Sequence, residues 1–179
     1  MKKNSIVFVL LMSLHFFAAA QSNNDLITTL RIGPFKLKTA KADIEKIVGK
    51  TIAITSKDYL DTAEINYGGI SYRLIFSQEY DDDAKKPVAW KLYSVSSTTT
   101  SLKTKSLIGI GNTKAEILQA YDKFDITINN DYAYKEKGNA KDKIQFINLM
   151  DYDAGTRITF TTENRVVKAI EVAVDEGGE

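Results

Sequence analysis

The sequence predicts an α+β fold of two tandem repeats, each a short helix packed on an antiparallel β-sheet. Three observations carry that expectation. One helix-start phrase occurs twice, as FKLKTAKADIEKIVGK (35–50) and IGIGNTKAEILQAY (108–121). Each copy is followed by alternating apolar and polar segments in the same order, and tight turns separate those segments. Order kept across several elements outweighs any single match.

Setting Leu37 on Ile110 brings Lys41 onto Lys114, Ala42 onto Ala115, Asp43 onto Glu116, Ile44 onto Ile117 and Lys50 onto Lys123. Thr113 and Glu116 have the spacing of a capping box, in which hydroxyl and carboxylate each satisfy a free backbone N–H. The first copy offers only Thr39 or Ala40 before Asp43, a weaker or shifted cap. Ile44, Ile47 and Val48, and likewise Ile117, Ala120 and Tyr121, recur at i, i+3, i+4 and form one buried face each. Gly49 closes the first helix by taking positive φ.

Strands follow. TIAI (51–54) matches DITI (125–128), YRLIFS (72–77) matches TRITFT (156–161), and AWKLYSV (89–95) matches VVKAIEV (166–172), with Lys91 on Lys168. Gly68-Gly69 and Glu163-Asn164 read as hairpin connections. The polar stretch STTTSLKTKS reads as a linker at 97–106, between a first repeat over 21–96 and a second over 107–179.

Successive strand residues point to opposite faces. Leu74, Phe76, Ile158, Phe160, Ile170 and Val172 are therefore expected to face the helices, with Tyr93 and Val95. That leaves Arg73, Ile75, Trp90, Leu92, Arg157 and Thr159 on the opposite face. Two readings of the only Trp stand side by side: burial between packed sheets, or a recognition surface, because Trp and Arg dominate interface hot spots.

The first twenty residues are set apart. Lys2 and Lys3 precede an apolar run from Ile6 to Phe17, then Ala18-Ala19-Ala20. This is the pattern of a secretory signal peptide at 1–20, and the run is shorter than the ~20 residues that span a bilayer. The expected product is a secreted or periplasmic chain beginning near Gln21, with no membrane anchor after cleavage. The chain holds 24 Lys and Arg; less Lys2 and Lys3, 22 remain against 23 Asp and Glu. Nucleic acid and anionic lipid, which require a basic surplus, are thereby set aside as partners.

Cys is absent, and the single His, His15, lies inside the signal peptide. A mature chain with neither excludes Ser-His-Asp and Cys-His catalysis and the usual zinc, copper or non-haem iron sites. No catalytic residue, metal site or cofactor is expected. Asp151-Tyr152-Asp153-Ala154-Gly155 opens like a calcium loop, yet Thr162 stands where a bidentate Glu is required, so it reads as a hairpin turn.

The paired helix starts KTAKADIEKIVG and GNTKAEILQAY, with strand runs ending KLYSV and KAIEV, resemble the β-lactamase-inhibitor-protein-like fold. The helix-start phrase is also similar to that of BamE-type outer-membrane assembly proteins. The resemblance spans roughly Gly33 to Ala173 and implies tandem helix-plus-sheet units with a concave, aromatic-rich binding face. The disulfides of the inhibitor members and the lipid-bearing Cys of BamE-type proteins have no counterpart here. Between YRLIFS and AWKLYSV the first copy carries QEYDDDAKKPV (78–88), with Tyr80, Asp81, Asp82 and Asp83. Its position resembles the acidic first-copy hairpin loop that the inhibitor family projects toward its partner; such a charge run also simply keeps a loop solvated.

The expectation is thus an exported, non-enzymatic binding protein. It would engage a protein or cell-envelope component through Arg73, Ile75, Trp90, Leu92, Arg157, Thr159 and the acidic loop. The alternative is a carboxylate-based hydrolase acting on a glycan or peptide.

Overall fold

A computed structural model describes residues 25–55, 59–78, 80–81, 86–87, 89–130, 144–175 and 177. The predicted signal peptide lies outside them. The fold is α+β, and its strands are mostly antiparallel. Three short strands, β1 (Leu26–Thr28), β2 (Arg31–Ile32) and β3 (Phe35–Lys36), precede helix α1 (Lys41–Val48). Then come β4 (Leu60–Tyr67), β5 (Ile70–Ser77), the two-residue strands β6 (Tyr80–Asp81) and β7 (Lys86–Pro87), β8 (Lys91–Ser97) and β9 (Lys103–Thr104). Helix α2 (Lys114–Ala120) leads into β10 (Ile126–Asn130), β11 (Gln145–Asp151), β12 (Thr156–Glu163) and β13 (Val166–Val174).

Seven strands form one antiparallel sheet in the order β10-β11-β12-β13-β8-β5-β4. A smaller sheet runs β3-β2-β1-β9, its last pair parallel. The stretch 97–106, expected as a linker, therefore supplies the last residue of β8, all of β9 and three buried side chains, Ser97, Leu102 and Thr104. Thr104 accepts the Tyr121 hydroxyl at 2.6 Å, tying β9 to the end of α2.

Local signals explain most elements. Thr113 and Glu116 make the capping box, with Thr113 N–H 2.6 Å from the carboxylate and Glu116 N–H 3.3 Å from the hydroxyl. These bonds from Thr113 hold the Glu116 carboxyl below its ordinary value. Helix α1 starts at Ala40 with no side-chain cap and ends at Gly49, whose φ of 69° lets its N–H reach Glu45 O at 2.8 Å. Gly68 and Gly69 both take positive φ, the geometry of a two-residue hairpin turn. The opposite hairpin turns on Asn164 and Arg165, one position beyond the expected pair.

TIAI departs from expectation. Residues 51–55 are not a strand, because their donors go to carboxylates instead of a ladder. Ile52 N–H donates to Glu45 Oε1 at 2.8 Å, and Thr55 N–H donates to the Asp61 carboxylate. Lys41 donates to the same Glu45 oxygen at 2.6 Å; that bond first, then Ile52 N–H, lowers the carboxyl's pKa.

One face of the large sheet, both helices and the small sheet share a single apolar core. Ile65, Tyr72, Leu74, Phe76, Val95, Ile147, Ile158, Phe160, Ile170 and Val172 meet Ile27, Ile32, Phe35, Ile44, Leu102 and Ile117 there. Phe35 sets its ring edge-on to Tyr72 at 4.7 Å and to Tyr67 at 5.9 Å, which fastens the small sheet to β4 and β5.

Both helix starts hang on the large sheet by the same three backbone bonds. At α1, Lys38 N–H donates to Leu92 O, Leu92 N–H to Thr39 O and Lys41 N–H to Trp90 O. At α2, Gly111 N–H donates to Val167 O, Val167 N–H to Asn112 O and Lys114 N–H to Arg165 O. Leu92 thus corresponds to Val167, two positions from the register in which Lys91 meets Lys168. A shift of two preserves strand faces, so the β5 and β12 faces are as expected.

The face expected for Leu92, Tyr93 and Trp90 is corrected by a β-bulge. Leu74 pairs with Val95 and Ile75 with Ser94, but Phe76 pairs with Leu92, leaving Tyr93 as an extra residue. An inserted residue inverts the alternation beyond it. Leu92 accordingly turns inward and is 0% exposed, while Tyr93 lines a cleft of about 300 Å³ with Lys38, Tyr59 and Leu60. Trp90, two residues before Leu92, packs against the same core. A matching irregularity separates Thr161↔Ala169 from Thr162↔Val167, with Lys168 in the place of Tyr93.

Two outcomes follow from this packing. Leu92→Ala is expected to lower unfolding free energy by about 2–5 kcal/mol in urea titration, and Tyr93→Ala by about 1 kcal/mol; the reverse order would mean that the strand carries no bulge. Burial, with Asp25 and Tyr67 adding to it, pushes the Tyr72 phenol from 10.0 up to about 12. Because the folded state holds this proton more tightly, stability is intact below pH 10 and falls as pH rises toward 12. Tyr72→Phe is expected to flatten that alkaline decline in thermal melts at pH 9 to 12; an unchanged decline would contradict the assignment.

Candidate functional site

The other face of the large sheet stands outside the core: Ile75, Phe146 and Met150 are not among its members. Strand pairing aligns the side chains on this face into rows. One row runs Thr127, Asn148, Thr159, Glu171, Ser96, Arg73, Glu64, one residue from each strand. The next runs Met150, Arg157, Ala173, Ser94, Ile75, Thr62. Such cross-strand neighbours are the contacts that stabilise an antiparallel sheet face.

The first row is polar from edge to edge and bonded to itself. Asn148 donates to Thr127 Oγ1 at 3.2 Å and accepts Thr159 Oγ1 at 2.8 Å. The Ser94 hydroxyl donates to the Glu171 carboxylate. Arg73 faces Glu64 at 3.8 Å in an exposed pair, which contributes little to stability. Arg157 donates to Asp175 Oδ1 at 2.8 Å, fixing the guanidinium along the edge of the face. In the middle Ser94, Ser96, Ala169 and Ala173 are small, and Glu171 stands among them opposite Ser96. Ser94 is 1% exposed although it belongs to the outer rows, and its hydroxyl is taken up by Glu171.

Of the residues expected to bind a partner, Arg73, Ile75, Arg157 and Thr159 come together on this face. Thr159 lies at its floor, 8% exposed and bonded to Asn148. Leu92 leaves the candidate surface altogether, and Trp90 lies on the inner side; both follow from the bulge at Tyr93. Tyr80 and Asp81 are placed only by the ladder of β6 with β7, where Tyr80 pairs with Pro87 and Asp81 with Lys86. Asp82 and Asp83 lie outside the described residues. The turn at Asp151 is closed by its own carboxylate, whose Oδ1 accepts Ala154 N–H at 3.1 Å while Oδ2 accepts Thr29 Oγ1 at 2.7 Å.

Glu64, Ser94, Ser96 and Asn148 were not foreseen on this face, whereas the alternation of the last strand does put Glu171 opposite Ile170 and Val172. Their alternation marked each as opposite a core residue, but only the pairing of β8 with β13 joins them into one surface. Chemically the face offers hydroxyl, amide, carboxylate and guanidinium groups, several of them bonded to one another. Comparison with family models, curated proteins and solved structures yields no match.

Proposed function

We propose that this chain is an exported, non-enzymatic binding protein built from two copies of one helix-plus-sheet unit, and that its open sheet face engages a protein or cell-envelope partner. The repeat is supported by the three helix-start bonds that recur in each half and by the bulges at Tyr93 and Lys168. Under that correspondence Ser96 matches Glu171, and these two residues are paired across the middle of the sheet. The halves then relate by an approximate twofold through that pair, as the likeness to the β-lactamase-inhibitor-protein-like fold would have it.

The observation that carries the function is the character of this central surface. The seven-stranded face sets Ser96 beside Glu171 at its middle, with Arg73, Glu64 and Arg157 around them, a mixed polar and charged surface of the kind that recognises a partner. The sites read from the sequence contribute Arg73, Ile75, Arg157 and Thr159 to its rim and floor.

A photo-reactive amino acid at Ser96, with a second variant at the exposed Thr51 as control, tests the reading in the cell envelope. A discrete cross-linked species from position 96 but not 51 is expected. Ser96→Arg should reduce capture of that species by at least about tenfold while leaving the melting temperature nearly unchanged. Equal adducts from both positions, or none from 96, would remove this face from the account.

A further inference from the structure

We infer that the cleft beside the β11–β12 turn is a binding site for an organic cation, a guanidinium or alkylammonium group carried on a partner polypeptide. The cleft measures about 330 Å³; Leu149 and Met150 form its apolar lining, Phe124 and Tyr152 its aromatic walls, and Asp151 and Asp153 its carboxylates. The two rings are large apolar surfaces left to solvent, Phe124 at 58% and Tyr152 at 68% exposure. Aromatic rings and carboxylates lining one cleft each attract a cation, the rings through their quadrupole and the carboxylates through direct charge.

The walls are held in place. Phe124 N–H donates to Tyr121 O at 3.0 Å, and its ring stands edge-on to Tyr121 at 5.7 Å, so a core residue sets its position. Asp151 is fixed by Thr29 and by Ala154 N–H. The corresponding hairpin in the first half turns on Gly68 and Gly69 alone, with no side chain to offer. Only the longer second turn presents Tyr152 and Asp153. The two carboxylates of the lining, Asp151 and Asp153, favour a cation over a neutral sugar on the same rings. The assignment stands on the cleft itself and holds whatever the open sheet face binds.

The test is amide NMR of the purified protein titrated with a Gly-Arg-Gly peptide, with its neutral citrulline counterpart, with putrescine and with methyl glucoside. Shifts confined to residues around Phe124 and Asp151–Gly155 are expected for the arginine peptide. Citrulline should weaken the response by about tenfold, and putrescine should bind more weakly than the arginine peptide. Tyr152→Leu and Asp153→Asn, both in the exposed turn, should each abolish the response with an unchanged melting temperature. Equal binding of the citrulline peptide, tighter binding of putrescine, a response to methyl glucoside alone, or no response at millimolar peptide would overturn the assignment.

Discussion

The pairing of β8 with β13 is the contact on which the rest of the structure depends. Ser94 to Ser97 run antiparallel to Ile170 to Ala173, with Val95 opposite Val172. Each strand also bonds to its own hairpin partner, β5 or β12, and each takes the three backbone bonds that position a helix start. Without this seam the sheet would fall into a three-stranded and a four-stranded piece, each ending in an unpaired apolar edge, a liability that folded proteins avoid. The inner side of the seam is fully buried at Val95, Val172 and Ile170, so hydrogen bonding and apolar burial act at the same place.

The two bulges are what allow β8 and β13 to serve both neighbours. An extra residue sharpens the local twist and bends its strand. At Tyr93 and Lys168 the bend falls just after Leu92 and Val167, the residues gripped by the helix-start loops. The core receives Leu92 and Val167 on one side of each bulge, and Val95 and Ile170 on the other. The outer face, by contrast, receives Ser94, Ser96, Glu171 and Ala173 where the strands meet, with Arg73 and Arg157 on the strands next to them.

Local signals in the sequence made much of this legible. Alternation in YRLIFS and TRITFT is enough to assign Leu74, Phe76, Ile158 and Phe160 inward, and Thr113 with Glu116 announces α2. A bulge leaves no comparable trace: nothing in AWKLYSV marks Tyr93 as extra, and the error propagates to Leu92 and Trp90. The absence of a strand at 51–55 is equally invisible, since alternation does not show that Glu45 and Asp61 will take the backbone N–H groups of Ile52 and Thr55. Arg73 and Thr159 could be placed on one face by parity alone. Their union with Glu64, Ser96, Asn148 and Glu171 required knowing which strands pair, and the cleft between Phe124 and Tyr152 joins segments that the chain holds far apart.

Residue-resolved native-state hydrogen exchange tests most directly whether the seam makes the two halves one cooperative body. The most protected amides of β8 and β13, and those of β5 and β12, should exchange with a single opening free energy equal to that of global unfolding. Exchange of the β4, β5 and β8 amides through a lower-energy opening, while β11 to β13 remain protected, would contradict the account and make the halves independent.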